Sequence, residues 1–505
     1  TFHYLWHLFK IRIMASGLIT VVFVVYTLLL FLISFVTGRK ATDDAYYRGN
    51  HRSPWFVVAY GMVGASLSGV TFMSVPGNVL KENFYYLPMV FGFIAGYVVV
   101  AKVLLPIYYR MNLTSIYGYL DERFGMKSYK SGATYFLLSR GLGATLRMFL
   151  VVSVLHGFVF SHMGIPFWLA ALIFILLILG YTFKGGIRTI VWTDTLQTTF
   201  MLVSVFLSIG CIAHAMGWTF VDMVREVKES PMSQIWDTDP MSPRFYVKQF
   251  LSGLFVTVSM TGLDQDMMQK NLSCRNLKDA QKNMFTFSGI LLVMNFLFLV
   301  LGALLGLYAQ EKGLSVADTD QLFPTIAINC LPPLAGLTFI IGVLSAAYSS
   351  ADGALTAVTT SFTIDILGVE RRGLPEDRRK KIRYRTHLVM AVVFLMLIVM
   401  FNWLKNDSVI NMVYDIASYT YGPLLGLFAV GICTRWKVKD RWVPWIVILS
   451  PILSFALVRF CKWAFGYSFG FELLLLNALL TFLGLLLIRD RNAGRKRNDT
   501  HVAKF

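Results

Sequence analysis

Apolar runs of about twenty residues recur along the chain, and a helix of about 20 residues is what a bilayer core requires. Thirteen stretches can be marked, roughly 15–37, 55–80, 84–109, 126–160, 165–183, 190–216, 245–264, 284–310, 331–366, 386–404, 408–433, 442–463 and 469–488. The stretches 126–160 and 331–366 exceed a bilayer's need, so they are expected to tilt, kink or project beyond it. Lys and Arg are distributed unequally: the segments after odd-numbered stretches, with the tail, hold roughly three times as many as the other side. The positive-inside rule then predicts an N-terminus outside and a C-terminus in the cytoplasm. The densest basic loop, ERRGLPEDRRKKIRYR at 370–385, reads as an anchor against anionic lipid. Residues 217–248, rich in Pro, Ser and Asp, form the largest predicted outer loop, with room for a short surface helix.

One stretch fits a continuous helix poorly. Between Ser53 and Leu80, Gly61, Gly64, Ser66, Ser68, Gly69, Thr71, Ser74, Pro76 and Gly77 crowd together. Gly costs about 1 kcal/mol per interior helix position and Pro removes a backbone donor. Two readings stand: a small-residue face for close helix packing, or a broken helix whose freed carbonyls line a cavity. A counterpart occurs in the seventh stretch, where Ser252, Gly253, Thr257, Ser259, Thr261 and Gly262 cluster. Stretches two to six and seven to eleven make two groups of five that enter the membrane from opposite sides. Residues 55–216 and 245–434 therefore read as inverted halves, with 1–54 before them, an outer loop at 217–244 between them, and two further helices in 435–505. Interrupted first helices in inverted halves point to a transporter's binding site.

Composition narrows the class. Of 505 residues, 56% are hydrophobic and only 15% charged, against about 25% charged in soluble domains. The net charge of +18 is explained by basic cytoplasmic loops rather than by nucleic-acid binding. Five scattered cysteines imply neither a disulfide framework nor a metal site. The aromatic-rich opening, Thr1 to Ile13, lacks an initiator, and Met14 is an alternative start. The first apolar run is too long for a cleavable signal.

Polar residues inside apolar stretches carry the candidate chemistry. In the ninth, Ser349 and Ser350 follow Ala346 by three and four residues, so their hydroxyls share a face with its carbonyl. Alone they read as back-bonded serines; with carbonyls near Gly69 and Phe72 they form an oxygen set for a hard cation such as sodium. Asp194 and Asp352 are intramembrane carboxylates, functional by default, although Asp194 also suits a helix cap. Asp352 is a cation ligand or a proton holder. Arg147 lies mid-span, with Arg140 two turns earlier and expected to snorkel to the interface. The Arg147 guanidinium needs either a substrate carboxylate or an internal partner such as Asp415. His156, His214 and Lys102 read as packing or anchoring residues.

Five motifs together resemble the sodium/solute symporter family over about residues 40–440: GASLSGVTFMSVPG (64–77), LPIYYR (105–110), YTFKGGIRTIVWTDTLQ (181–197), GLDQDMMQKNLSCRNLKDAQK (262–282) and SAAYSSADGALTAVTTSFTIDIL (345–367). The resemblance implies an all-α polytopic membrane protein with a LeuT-type core of two inverted five-helix repeats working by alternating access. It carries the main sodium site onto the carbonyls of Gly69, Phe72 and Ala346 and the hydroxyls of Ser349 and Ser350. A second sodium or a proton falls on Asp194, Ser349, Ser350 and Asp352. Ala346 lacks the hydroxyl that two-sodium members often place there, and Asp352 is a candidate substitute. Substrate contacts are expected at Met73, Pro76, Asn78, Arg147, Thr257, Met260 and Asp415. Pro76 stands where sugar carriers have Gln, their Glu maps near Val90, and Arg147 falls near an Arg of the sialic acid carriers.

The expectation is therefore a sodium-coupled symporter, not an enzyme. It would import a small polar solute bearing a carboxylate, such as a sialic acid, another organic acid or an amino acid. Its expected partners are that solute, sodium and the lipid bilayer, without nucleic acid, as a monomer in the cell (inner) membrane. A sodium/sugar symporter and a proton-coupled symporter are the alternatives. A transporter-like sensor is disfavoured by the short tail, and a channel by the sparse midplane charge.

Overall fold

The computed structural model describes residues 21, 24–38, 43–183, 186–314, 319–404 and 409–490. The expectations for Thr1–Ile13, for the start of the first apolar run and for the extreme tail lie outside the described residues.

Among the described residues, each predicted stretch coincides with helix. The first half holds α1 (Val24–Gly38), the short α2 (Asp43–Arg48), α3 (Trp55–Ser66), α4 (Gly69–Glu82) and α5 (Leu87–Arg110). It continues through α6 (Gly118–Arg123), α7 (Met126–Leu155), α8 (Phe167–Thr182) and α9 (Ile187–Ala215). A short helix, α10 (Phe220–Glu229), follows, opened by a capping box between Thr219 and Asp222. The second half holds α11 (Tyr246–Thr257), α12 (Gln265–Leu272), α13 (Leu277–Glu311) and α14 (Pro333–Ile366). It ends with α15 (Glu376–Leu404), α16 (Val409–Cys433), α17 (Val443–Phe465) and α18 (Leu473–Leu487). Eight of the described helices are individually long and apolar enough to cross a membrane, and α3 with α4 passes as one bent span.

The two interrupted helices organise the fold. α3 and α4 meet at 58°, with Leu67 (φ −82°, ψ 69°) and Ser68 (φ −63°, ψ 172°) extended between them. The break lies before Gly69, not across Gly69 to Phe72 as the sequence led us to expect. Gly69 is the first residue of α4, and Pro76 is accommodated inside that helix. The cost of Pro76 falls on the Phe72 carbonyl, whose i+4 neighbour has no N–H to offer. A methyl group on Gly69 would overlap Val151 of α7, so this glycine serves close packing.

The second interruption runs through a π-helical turn at Val258–Gly262 into an extended Asp264. The Asp264 carboxylate then caps α12, accepting from the backbone N–H of Asp266 (2.9 Å) and Met267 (3.2 Å). All eight residues of α12 are buried, including Gln265, Asp266, Gln269, Lys270 and Asn271. Residues 265–283 had read as a cytoplasmic loop because hydropathy recognises surfaces that face lipid. α12 faces none, being surrounded by α2, α3, α9 and α14.

Small residues allow the centre to close. In α14 every residue from Val343 to Ser361 is buried, and its Ala, Ser, Gly and Thr side chains let α9 and α3 pack against it. α5 and α11 touch almost backbone to backbone at Gly92 and Gly253. A methyl on Gly253 would overlap the Met89 carbonyl, and one on Gly92 the Phe250 carbonyl. Gly92→Ala is expected to destabilise the protein by about 1–3 kcal/mol, read as a lower melting temperature of the detergent-purified protein. By contrast α15 and α17 bury only 28% and 22% of their apolar windows, as peripheral, lipid-facing helices do.

Candidate functional site

The break in α3–α4 opens onto a cavity of about 110 Å³. Ser66, Leu67, Ser68 and Thr71 form one wall, and Thr257, Met260 and Thr261 of the second interrupted helix form another. Tyr86, just before α5, and Phe93 and Tyr97 of α5 contribute aromatic surface, while Arg147 of α7, Asn295 of α13 and Val413 of α16 complete it. This is a mostly pre-formed pocket with a few convergent polar groups, as small-molecule sites are. Asn295 donates one N–H to the Leu291 carbonyl (2.8 Å), leaving its amide oxygen available to a ligand.

The predicted substrate residues separate into two groups. Arg147, Thr257 and Met260 share the cavity. Met73 and Pro76 do not: both are buried within α4, and the Pro76 backbone abuts Gly302 of α13. Asn78 lies farther along α4, where it accepts from Thr319 (3.3 Å). Asp415 is exposed and stands apart from the cavity lining. The expected wall was displaced because the break comes before Gly69, which turns Ser66, Ser68 and Thr71 toward the cavity.

Arg140 does not reach an interface. It is 5% exposed, bonds Asp266, and lies 3.6 Å from Asp264, which also accepts from Tyr421. Arg147, one heptad later on the same face of α7, remains partly exposed.

The predicted cation oxygens lie against the last turn of α3. Ser349 donates to Asp194 (2.6 Å) and Ser350 to the Ala347 carbonyl (3.2 Å). The Gly64 N–H donates to Thr198 (3.0 Å), and a Cβ at Gly64 would sit 3.3 Å from the Ser349 hydroxyl. Because the chain leaves the helix at Leu67, the carbonyls of Gly64, Ala65 and Ser66 have no continuing turn above them. Gly69 packs against Val151 and the Phe72 ring packs among Phe298, Phe323 and Phe339, while the Phe72 carbonyl lacks its helical donor because of Pro76. The end of α3, at Gly64, lies beside Ser349, so its carbonyls are further candidate ligands.

Two more ionic groups meet these oxygens. Lys270 of α12 places its ammonium 2.9 Å from Asp194 and 3.4 Å from Asp266. Asp352 accepts from Tyr181 (3.0 Å), and its other oxygen has no hydrogen-bond partner among the described residues. Sequence reasoning missed Asp264, Asp266 and Lys270. The available signal was the i, i+4 spacing of Asp266 and Lys270, a helical ion pair in what read as a loop.

Paired interrupted helices, a polar cavity between them and a buried oxygen cluster beside the first define a cation-coupled secondary transporter of LeuT type. Residues 46–437 match the sodium:solute symporter family. The chain belongs to that family: it is a sodium-coupled membrane symporter, not an enzyme. It is 25% identical over 463 residues to the sodium/sialic acid symporter NanT of Aliivibrio fischeri, covering 90% of this chain and 88% of that one. The sodium/sialic acid symporter SiaT of Proteus mirabilis is 25% identical over 421 residues, 79% of this chain and 81% of that one. The fold superposes on a substrate-bound, outward-open sialic acid symporter with a TM-score of 0.80 at 20% identity, over 93% of this chain and 97% of that one.

Proposed function

We propose that this symporter imports a small polyhydroxylated solute carrying a carboxylate, sialic acid being the solute named for the two bacterial relatives. The observation that carries this reading is Arg147, a guanidinium on the cavity wall; Arg140, the other charged group lining it, is bound to Asp266. Its fork matches a carboxylate, and the hydroxyls of Ser66, Ser68, Thr71, Thr257 and Thr261 with the Asn295 amide match a polyol. The N-terminus is assigned to the outside and the C-terminus to the cytoplasm of the cell (inner) membrane, where the chain works as a monomer in lipid.

The main sodium site is assigned to the Ala346 carbonyl, the Ser349 and Ser350 hydroxyls and the carbonyls ending α3. These stand beside the expected carbonyls of Gly69 and Phe72 as candidate ligands. Oxygen ligands alone suit a hard monovalent cation, and the site joins α3 to α14, so its occupancy favours one arrangement of the two halves. An inward sodium gradient then drives uptake.

Proteoliposomes loaded with potassium and diluted into sodium are expected to accumulate labelled sialic acid; dilution into potassium should give none. Accumulation on an imposed proton gradient without sodium would overturn the coupling ion. Indifference to sialic acid and to simpler carboxylates, with uptake of a neutral hexose, would overturn the substrate class. In the same assay Ser350→Ala is expected to raise half-saturating sodium about five- to thirty-fold, one oxygen's contribution of about 1–2 kcal/mol. Maximal uptake should change less.

A further inference from the structure

The buried charges behind the sodium oxygens do not resemble an open second cation site. Asp194 is 1% exposed and both its oxygens are engaged. One accepts the Ser349 hydroxyl (2.6 Å) and the other faces the Lys270 ammonium (2.9 Å). Lys270 is equally buried and reaches Asp266 as well (3.4 Å). Asp266 is bound in turn by Arg140, which also faces Asp264. Two fixed cations, Arg140 and Lys270, thus stand among three carboxylates that touch them. A second sodium on Asp194 would have to approach the ammonium that lies 2.9 Å from that oxygen, in a region where like charges repel strongly.

We propose that the Lys270 ammonium is a resident cation, holding at Asp194 the charge-balancing place that a second coupling sodium would need, so that each chain binds one sodium ion. Lys270 also acts as a positioning residue. It fixes Asp194, Asp194 accepts the Ser349 hydroxyl's hydrogen bond, and the lone pairs of that hydroxyl are thereby turned toward the main site. The inference rests on the sodium site proposed above. It predicts that removing the ammonium while keeping an apolar stem opens a place for another ion, because Asp194 would otherwise remain buried without a counter-charge.

The test is equilibrium binding of radioactive sodium to the purified protein in potassium buffer. One ion per chain is expected for the wild type and for Asp194→Asn. Lys270→Met is expected to bind two, a doubling, and Lys270→Met with Asp194→Asn is expected to return to one. Lys270→Arg should stay at one. A wild type that binds two ions, falling to one in Asp194→Asn, overturns the inference even if Lys270→Met does not fold. A folded Lys270→Met that still binds one ion also overturns it. Ser350→Ala separates the two readings: unweakened sodium binding in that variant counts against the main site, whereas the Lys270 inference is decided by the other counts.

Discussion

Arg147→Ala is expected to abolish substrate recognition while leaving the fold intact. The guanidinium is partly exposed to the cavity rather than buried in the helix packing, so its removal leaves space that water can fill. Losing a desolvated, hydrogen-bonded charge partner costs about 2–5 kcal/mol, roughly thirty-fold to several thousand-fold in affinity. Arg147→Lys keeps the charge but loses the planar fork, and should fall between the two. The measurement is a thermal-shift titration in sodium with sialic acid, simpler carboxylates and neutral sugars, since a ligand stabilises in proportion to the logarithm of its concentration over Kd. Retained stabilisation by carboxylates in Arg147→Ala would remove the residue from the substrate site. Loss of the folded protein would make it a structural cation instead.

Arg140→Ala, two turns earlier on the same helix, should do the opposite and cost the fold. Arg140 binds Asp266 and faces Asp264, and Asp264 caps α12. Without the guanidinium, two carboxylates that are 0% and 1% exposed lose a counter-charge. Breaking a buried ion pair by removing one partner costs about 3–5 kcal/mol. The detergent-purified variant is expected to melt far earlier or to elute as aggregate, in sodium and in potassium alike. Neutralising the orphaned acid in Arg140→Ala with Asp266→Asn should recover part of the loss. Unchanged melting of the single variant would show that the acids are compensated from elsewhere.

Much of the architecture was legible because lipid imposes a simple rule on lipid-facing helices. Apolar stretches of bilayer length mark α5, α7, α9 and α13 directly, and the crowding of Gly, Ser and Pro after Ser53 marks a helix that does not run through. The position of the break was not legible. Gly, Ser and Pro all disfavour helix, and nothing in composition says that Pro76 is tolerated while Leu67 and Ser68 unwind. That half-turn moved the expected cavity wall from Met73 and Pro76 to Ser66, Ser68 and Thr71. Isolated charges were easier: Arg147, Asp194 and Asp352 stand out against apolar neighbours. Where charges gather, as in QDMMQKNL (265–272), the same residues imitate a solvated loop, and only tertiary structure reveals that water is absent.

The buried polarity of α12 also bears on how the chain is made. An Asp or Lys at the centre of a membrane helix raises its insertion free energy by about 2.5–3.5 kcal/mol, so α12, with Asp266 and Lys270, cannot partition into lipid unaided. Its partners Arg140 and Asp194 both lie upstream in the chain and have already left the ribosome when α12 emerges. The counter-charges that α12 needs are thus made before it, while α14 and Tyr421, which also enclose it, are made after it.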